Sequence, residues 1–290
     1  MAKKEDLFDC LRCNEIGCFN LFKKSEDSCD AGHELQVYSV LGKKIEEKSD
    51  LSTCVCANGR FLTASCFLTV PIFEQKRSYL SEILIQVTRD FKASMFLAFS
   101  GHYRQANQVL RCAFESIISG AYFQSDLIAL EKAKPSKEEL DRLQKRFDRW
   151  KKDGRVNIGK SIEVLRRIGF LEMREEKEWK KLYSLLSKFV HTPKEFTPHM
   201  KHEEEDKMRV CPAATCFIER QLIEWSEGFQ QVFAILLKTI EEFHPEAFRT
   251  RSGKVAITTC ILPFIRGGYE DKVRGAKEIQ SIISRVQESN

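Results

Sequence analysis

Long apolar runs are missing from this sequence. None reaches the roughly 20 residues that a membrane helix requires, and the nearest, residues 232–237, stops at Lys238. The first residues, Met1–Asp6, lead into no apolar stretch of the kind that forms the core of a secretory signal. We therefore expect a cytoplasmic protein with no membrane partner, in which the cysteines are reduced.

Several common catalytic and nucleotide-binding motifs are absent as well. The chain has no glycine-rich phosphate loop and no dinucleotide fingerprint, because Gly267-Gly268 lacks the required spacing. It has neither a G-x-S-x-G elbow nor an H-E-x-x-H helix, which argues against the usual hydrolase and zinc-protease patterns. Tryptophan is scarce at 3 residues, whereas phenylalanine is abundant at 21. Phenylalanine has no polar handle, so this balance favours packed helix contacts over an aromatic binding surface.

Cysteine, by contrast, is concentrated near the start of the chain. Seven of the eleven cysteines fall within the first 66 residues. Cys10 and Cys13 have the spacing of a pair that wraps one zinc ion. The second pair is either Cys29 with His33 or Cys54 with Cys56. We predict a structural zinc site; the alternative is a set of partly buried thiols that bind no metal. A catalytic zinc is not predicted, because it would also need an open coordination position beside a general base.

The cysteine-rich segment, residues 1–70, also shows short alternating runs. Residues 34–41 and 61–70 are strand candidates, and the turn signal Asn58-Gly59 precedes the second. Pro71 ends that pattern. We therefore predict a small, β-containing, zinc-binding module over residues 1–70.

Residues 71–290 show helical periodicity, so the predicted fold class is mainly α, a helical bundle. Apolar residues recur at three-to-four spacing on both sides of Ser100-Gly101, which predicts an antiparallel helical hairpin. Ser136 and Glu139 have the spacing of a capping box, and the helix that they open is predicted to run to about Lys152 and to end at Asp153-Gly154. Further helices are predicted over 160–168, 175–190, 213–243 and 275–287, with a surface loop over 192–208.

The positive charge is concentrated in one segment. Residues 132–181 contain 17 Lys and Arg against 10 Asp and Glu, a net charge of +7, whereas the whole chain carries +5. Such a segment is either an ordinary solvated helix surface or a surface that binds nucleic acid.

Two segments resemble the HEPN-like helical superfamily. They are Ala98–Glu115, in the predicted hairpin, and Ser187–His191. The resemblance covers about residues 75–245. It implies a bundle of four or five helices, often a homodimer, and in many members a metal-independent ribonuclease that uses an Arg, four to six residues and a His. This chain departs from that motif, because Ser184, Leu185 and Leu186 occupy the expected Arg positions before His191.

Two functional hypotheses follow. The first is a helical binding module with a structural zinc head, which contacts RNA or a protein partner through residues 132–181. The alternative is a HEPN-like ribonuclease in which His191 transfers the proton while Lys188 and Arg111 face the phosphate. His191 and Arg111 also have structural interpretations. His191 would interact with a helix dipole, and Arg111 would form an i,i+4 ion pair with Glu115 or a buried polar pair facing a cleft.

Overall fold

The computed structural model describes residues 49–73, 78–154, 156–188, 201–202, 209–210, 219–265, 273 and 275–288. These residues are mainly helical and form a bundle around one hydrophobic core. In chain order the elements are α1 Ser49–Phe73, α2 Tyr79–Phe99, α3 Tyr103–Lys132, α4 Lys137–Asp153, α5 Ile158–Arg167, α6 Met173–Lys188, β1 Lys201–His202, β2 Arg209–Val210, α7 Glu219–Phe243, a 3-10 turn Pro245–Arg249, α8 Arg251–Val255, a π-helical stretch Ala256–Ile261, α9 Leu262–Ile265 and α10 Ala276–Glu288.

The hairpin of α2 and α3 is the centre of the bundle. The helices are joined through Ser100 and Gly101, and Gly101 adopts a positive φ of 77°. They approach closely at Gly120, where a Cβ atom would lie 2.9 Å from Leu80 Cδ2. The other face of α3 packs against α4, α5, α6 and α7. The predicted hairpin is therefore confirmed.

Local capping signals fix the boundaries of α4. The Ser136 side chain accepts a hydrogen bond from the Glu139 backbone N–H, and the Glu139 carboxylate accepts one from the Ser136 backbone N–H. At the other end Gly154 adopts the left-handed conformation, with φ 62°, and its N–H donates to the Trp150 carbonyl. The capping box and the end of this helix were both predicted correctly.

The predicted strand over residues 61–70 is wrong, because these residues belong to helix α1. Asn58 and Gly59 lie inside this helix, and Pro71 lies in its last turn. Apolar residues occur on several sides of α1, since it packs against α2, α7 and the segment 251–261. Phe61 is fully buried and stacks on Phe233 at 4.5 Å between ring centres. The other strand candidate, residues 34–41, lies outside the described residues.

Polar contacts between helices fix how the bundle packs. The Trp225 Nε1–H of α7 donates to Ser94 Oγ of α2 at 2.9 Å, and that hydroxyl donates to the Ala106 carbonyl of α3 at 2.8 Å. On α1, Asn58 donates to Ser226 Oγ at 2.8 Å and accepts from Gln230 at 3.1 Å. Buried groups of this kind stay stable only when they are paired, so these contacts select one arrangement of α1, α2, α3 and α7.

Part of α1 also has the length and hydropathy of a membrane span. This part is Val55–Phe73, and 61% of the segment is buried inside the bundle. Length and composition alone carry little weight, because the core helix of a bundle meets the same criteria.

The two short strands form one antiparallel ladder. Lys201 and His202, in the predicted loop over residues 192–208, pair with Val210 and Arg209.

Candidate functional site

The cysteine predictions fall largely outside the described residues. Cys10, Cys13, Cys29 and His33 all lie there, so the zinc site stays a prediction. Of the alternative second pair, Cys54 and Cys56 occupy α1, where positions two apart lie about 200° apart around the helix. That spacing does not put the pair on one face. The described residues contain no group of three or more His, Cys, Asp or Glu side chains placed to hold a metal ion.

Arg111 lies in a compact polar cluster between α3 and α6. Its Nε donates to Glu115 Oε1 at 2.8 Å and its Nη2 to Tyr183 Oη at 3.1 Å, while the Tyr183 hydroxyl donates to the same Glu115 oxygen at 3.1 Å. Burial lowers the pKa of Arg111, but Glu115 and Tyr183 together outweigh that effect, and the pKa is raised. The guanidinium is therefore held against a carboxylate and a phenol, which favours the paired interpretation of Arg111.

Lys188, the second candidate cation, is the last described residue of α6 and is exposed. His191 lies outside the described residues, so the structure does not test whether it meets Lys188 or Arg111. Gly228 of α7 lies between α3 and α6. An ideal Cβ atom at this glycine would lie 3.5 Å from Leu110 Cδ2 of α3 and 4.0 Å from Leu186 Cδ2 of α6. An apolar contact therefore occupies the junction beside the Arg111 cluster.

Within the basic segment, three cations of α5 and α6 form ion pairs. Arg166 lies 2.6 Å from a Glu176 oxygen, and Lys180 contacts both Glu163 and Glu176 at 2.9 and 2.8 Å. Arg174 pairs with Glu178 at 2.9 Å. These pairs neutralise one another locally. Lys160, Arg167, Lys177 and Lys181 on the same two helices are exposed and form no ion pair within the described part of the chain.

Helix α4 differs, because four of its cations form an exposed row. At about 100° per residue, Arg142, Lys145, Arg149 and Lys152 fall within about 80° of one another around the helix and span about 15 Å along it. All four are exposed, and none makes an ion pair with another residue in the described part of the chain. We call this row the α4 stripe.

The opposite side of α4 explains why the stripe faces solvent. Leu143 and Phe147 are buried in the core. Arg146 and Lys151, at the margins of that side, pair with Asp126 of α3 at 3.1 Å and with Glu82 of α2 at 2.8 Å. The amphipathic pattern of α4 therefore turns the remaining cations outward. Two of the helix's acids, Glu138 and Glu139, sit in its first turn, where the helix dipole favours negative charge.

A second polar cluster was not anticipated from the sequence. At the start of α2, Ser78 Oγ lies 2.8 Å from Nε2 of His244, and His244 Nδ1 lies 3.1 Å from Glu246 Oε1. Gln124 Oε1 accepts from the Tyr79 backbone N–H at 3.0 Å and lies 3.3 Å from Ser78 Oγ. Ser78 and His244 are 166 residues apart in the chain, and no local motif links them.

Burial determines the protonation of this cluster. His244 is only 4% exposed, whereas half of the Glu246 side chain faces solvent. Burial lowers the pKa of His244 below its ordinary value, and the Glu246 carboxylate offsets only part of that effect. The imidazole is therefore neutral at pH 7, with one nitrogen that donates and one that accepts.

Ser78 also lines a pocket between α2, α3 and α4. The pocket has a volume of about 440 Å³, which is within the range of small-molecule sites. Its apolar surface comes from Leu127 and Leu140, and its polar surface includes Lys137 and Gln144. Ser78 is therefore the side chain of the polar cluster that borders this cavity, whose lining does not include His244 or Glu246.

Comparisons with known proteins found no similarity: no protein-family model, no curated protein and no solved structure matches this chain.

Proposed function

We propose that this chain is a helical binding module that contacts RNA through the α4 stripe. The observation that carries the proposal is the set of four exposed cations on one side of α4, which form no ion pair among the described residues. The sequence hypothesis named the whole segment 132–181. The ion pairs of α5 and α6 remove Arg166, Arg174 and Lys180 from that segment. We place the contact on α4 because four cations with no ion pair in the described part of the chain share one side of that helix.

The physical basis is the attraction between fixed cations and backbone phosphates. Each cation that neutralises a phosphate releases condensed counterions, and this release favours binding at low salt. Two of the four cations are arginines, whose planar guanidinium groups bind phosphate oxygens in a bidentate manner. The α4 stripe holds no aromatic residue that would stack on a base, so we expect contact with the RNA backbone without sequence preference.

The proposal has two further parts, both drawn from the sequence. The bundle is of HEPN-like type, which is supported by the α2–α3 hairpin and the segment Ser187–His191. A structural zinc ion is bound by Cys10 and Cys13 with Cys29 and His33, and it stabilises the N-terminal segment. The spacing of these four ligands supports this choice over the Cys54 and Cys56 pair, whose positions lie on different sides of α1.

The test is the salt dependence of binding to a fluorescently labelled single-stranded RNA, followed by fluorescence anisotropy. The logarithm of affinity should fall with the logarithm of salt concentration by about 0.7 per phosphate contact. Four contacts give a slope of about −2.8, so affinity should fall about 50-fold between 50 and 200 mM salt. The quadruple variant with Arg142, Lys145, Arg149 and Lys152 changed to Gln should lose this slope.

A matched control removes the same charge elsewhere. Lys92, Arg251, Lys254 and Lys277 are exposed and lie on other helices, and their replacement by Gln should leave most of the affinity and the slope intact. If both quadruple variants weaken binding equally, the effect is one of net charge and the α4 stripe is not the contact. If the wild type shows no binding at low salt, a protein partner becomes the better hypothesis.

The same RNA addresses the ribonuclease alternative, which stays a prediction centred on His191. After incubation, the RNA is run on a denaturing gel beside a sample treated with His191→Ala. Cleavage by the wild type alone would support the enzyme. An intact RNA in both samples, together with salt-dependent binding, would support the binding module.

A further inference from the structure

The contacts at the start of α2 have the order nucleophile, base, carboxylate. Because the Glu246 carboxylate only accepts hydrogen bonds, the proton of neutral His244 lies on Nδ1 and points toward it. Nε2 then carries a lone pair that accepts the Ser78 hydroxyl proton at 2.8 Å, while Gln124 Oε1, at 3.3 Å, is a second and more distant acceptor for the same proton. A base that is oriented by a third group and hydrogen-bonded to a hydroxyl is the arrangement that activates a serine.

We propose that Ser78, His244 and Glu246 form a hydrolytic site for small carboxylic esters, with Ser78 as the nucleophile. Such sites are recognised by the geometry and roles of their residues and occur in several chain orders on unrelated folds. The absence of a G-x-S-x-G motif from the sequence is therefore no objection. This activity is independent of RNA binding by the α4 stripe.

Two structural features place a substrate beside Ser78. The first is the pocket of about 440 Å³, where Leu127 and Leu140 offer an apolar surface for an acyl chain. The second is the position of Ser78 as the N-cap of α2, a helix of 21 residues. The Tyr79 and Ser81 N–H groups at this helix end already donate to Gln124 Oε1 and to Ser78 Oγ, so the helix end would favour an oxyanion next to Ser78 through its partial positive charge.

The reaction consumes one water molecule for each ester. Ser78 Oγ attacks the ester carbonyl carbon and gives its proton to His244 Nε2. The bond from that carbon to the alcohol oxygen breaks, and His244 passes the proton to the departing alcohol. Water then attacks the acylated Ser78 and gives a proton to His244. The carboxylic acid leaves, and Ser78 Oγ takes the proton back, while Glu246 keeps the imidazole oriented throughout.

A purely structural role for the same contacts must be separated from this one. Ser78 Oγ also accepts from the Ser81 backbone N–H at 3.3 Å, as an N-cap does, and Gln124 Oε1 is 3.3 Å away. A cap alone gives no reactivity toward an electrophile. A nucleophile that is oriented by His244 reacts covalently with an alkyl fluorophosphonate, whose phosphorus mimics the tetrahedral intermediate.

The experiment treats the folded full-length protein with a fluorescent alkyl fluorophosphonate and maps the labelled peptide by mass spectrometry. Hydrolysis of p-nitrophenyl acetate and p-nitrophenyl butyrate is measured in parallel. We expect labelling at Ser78, and a loss of ester hydrolysis of about 100-fold or more in His244→Gln, the usual contribution of a general base. Ser125→Ala, whose hydroxyl bonds only the Tyr122 carbonyl among the described residues, is the matched control and should retain full activity.

The proposal can be overturned by the wild type or by the His244→Gln variant. Failure of the folded wild type to label at Ser78 would overturn the proposal, and so would ester hydrolysis that is unchanged in His244→Gln. Ser78→Ala should abolish labelling, and circular dichroism shows whether that variant folds. If it does not fold, Ser78→Thr keeps a capping hydroxyl, and its slower labelling should again require His244.

Discussion

Gly253 is the position at which the structure makes its sharpest prediction about stability. It lies in the short helix α8, which packs directly on the 3-10 turn that precedes it. An ideal Cβ atom at this position would lie 2.1 Å from the Ala247 carbonyl oxygen and 2.8 Å from the Phe248 Cα. Both neighbours are backbone atoms, so neither can rotate out of the way as a side chain would, and the Ala247 and Phe248 side chains are buried.

The cost of Gly253→Ala follows from this geometry. An ordinary contact needs more than 3.4 Å, so the turn and α8 must separate by about 1 Å or more, which disturbs the packing of Phe248. Overpacking a core costs about 1–3 kcal/mol, and a clash with backbone belongs at the upper end. At about 2–4 °C for each kcal/mol in a chain of this size, the melting temperature should fall by about 6–12 °C.

Gly228 provides a matched control for the same substitution. It lies inside α7, and an added Cβ would meet only Leu110 and Leu186 side-chain atoms at 3.5 and 4.0 Å, which is ordinary contact. A glycine inside a helix costs about 0.5–1 kcal/mol relative to alanine. Gly228→Ala should therefore raise the melting temperature slightly, by about 1–4 °C.

Thermal unfolding of the wild type and both variants, followed by circular dichroism at 222 nm, tests this pair. The two substitutions are predicted to shift the melting temperature in opposite directions, so the test does not depend on an absolute free energy of unfolding. A Gly253→Ala variant as stable as the wild type would refute the reasoning. A loss of similar size in Gly228→Ala would show that α7 packs more closely than the distances indicate.

Two further predictions concern protonation and metal. Burial lowers the pKa of His244 in the folded protein. Below pH 6.5 the imidazole therefore takes up a proton more readily in the unfolded chain than in the folded one. The free energy of unfolding should decline by up to about 1.4 kcal/mol per pH unit as the pH falls from 6.5. Urea unfolding between pH 5 and 7.5 should show a shallower decline in His244→Asn, and equal slopes would contradict this assignment. Elemental analysis should find about one zinc per chain, lost when Cys10 and Cys13 are both changed to Ser; a folded wild type without zinc would contradict the predicted site.

Elements with local signals were predicted well. Ser136, Glu139 and Gly154 fix the ends of α4 through contacts within a few residues. These helix ends can therefore be predicted from the local sequence alone. The hairpin break at Ser100 and Gly101 is of the same kind. Helix α1 was misread because its apolar residues face several neighbours, which hides the helical period and leaves an apparent alternation. Its helical state is stabilised by α7 and the segment 251–261, which are distant in sequence.

The candidate sites divide in the same way. The excess of positive charge over residues 132–181 was visible in the sequence, but two of the ion pairs that reduce it, Arg166 with Glu176 and Lys180 with Glu163, join α5 to α6. Only the packing of the helices showed these pairs and the exposure of the α4 stripe. The Arg111–Glu115 pair was predicted from its i,i+4 spacing, whereas the contribution of Tyr183, 68 residues beyond Glu115, was not.

The mainly helical class, the α2–α3 hairpin and the caps of α4 could be read from the amino-acid sequence, because they depend on short-range periodicity and on hydrogen bonds between near neighbours. The tertiary structure alone decided the state of α1, the exposure of the α4 stripe and the meeting of Ser78 with His244. Each of these depends on which surfaces, distant in sequence, pack against one another. The residue pattern of one segment does not indicate which other segment it will pack against.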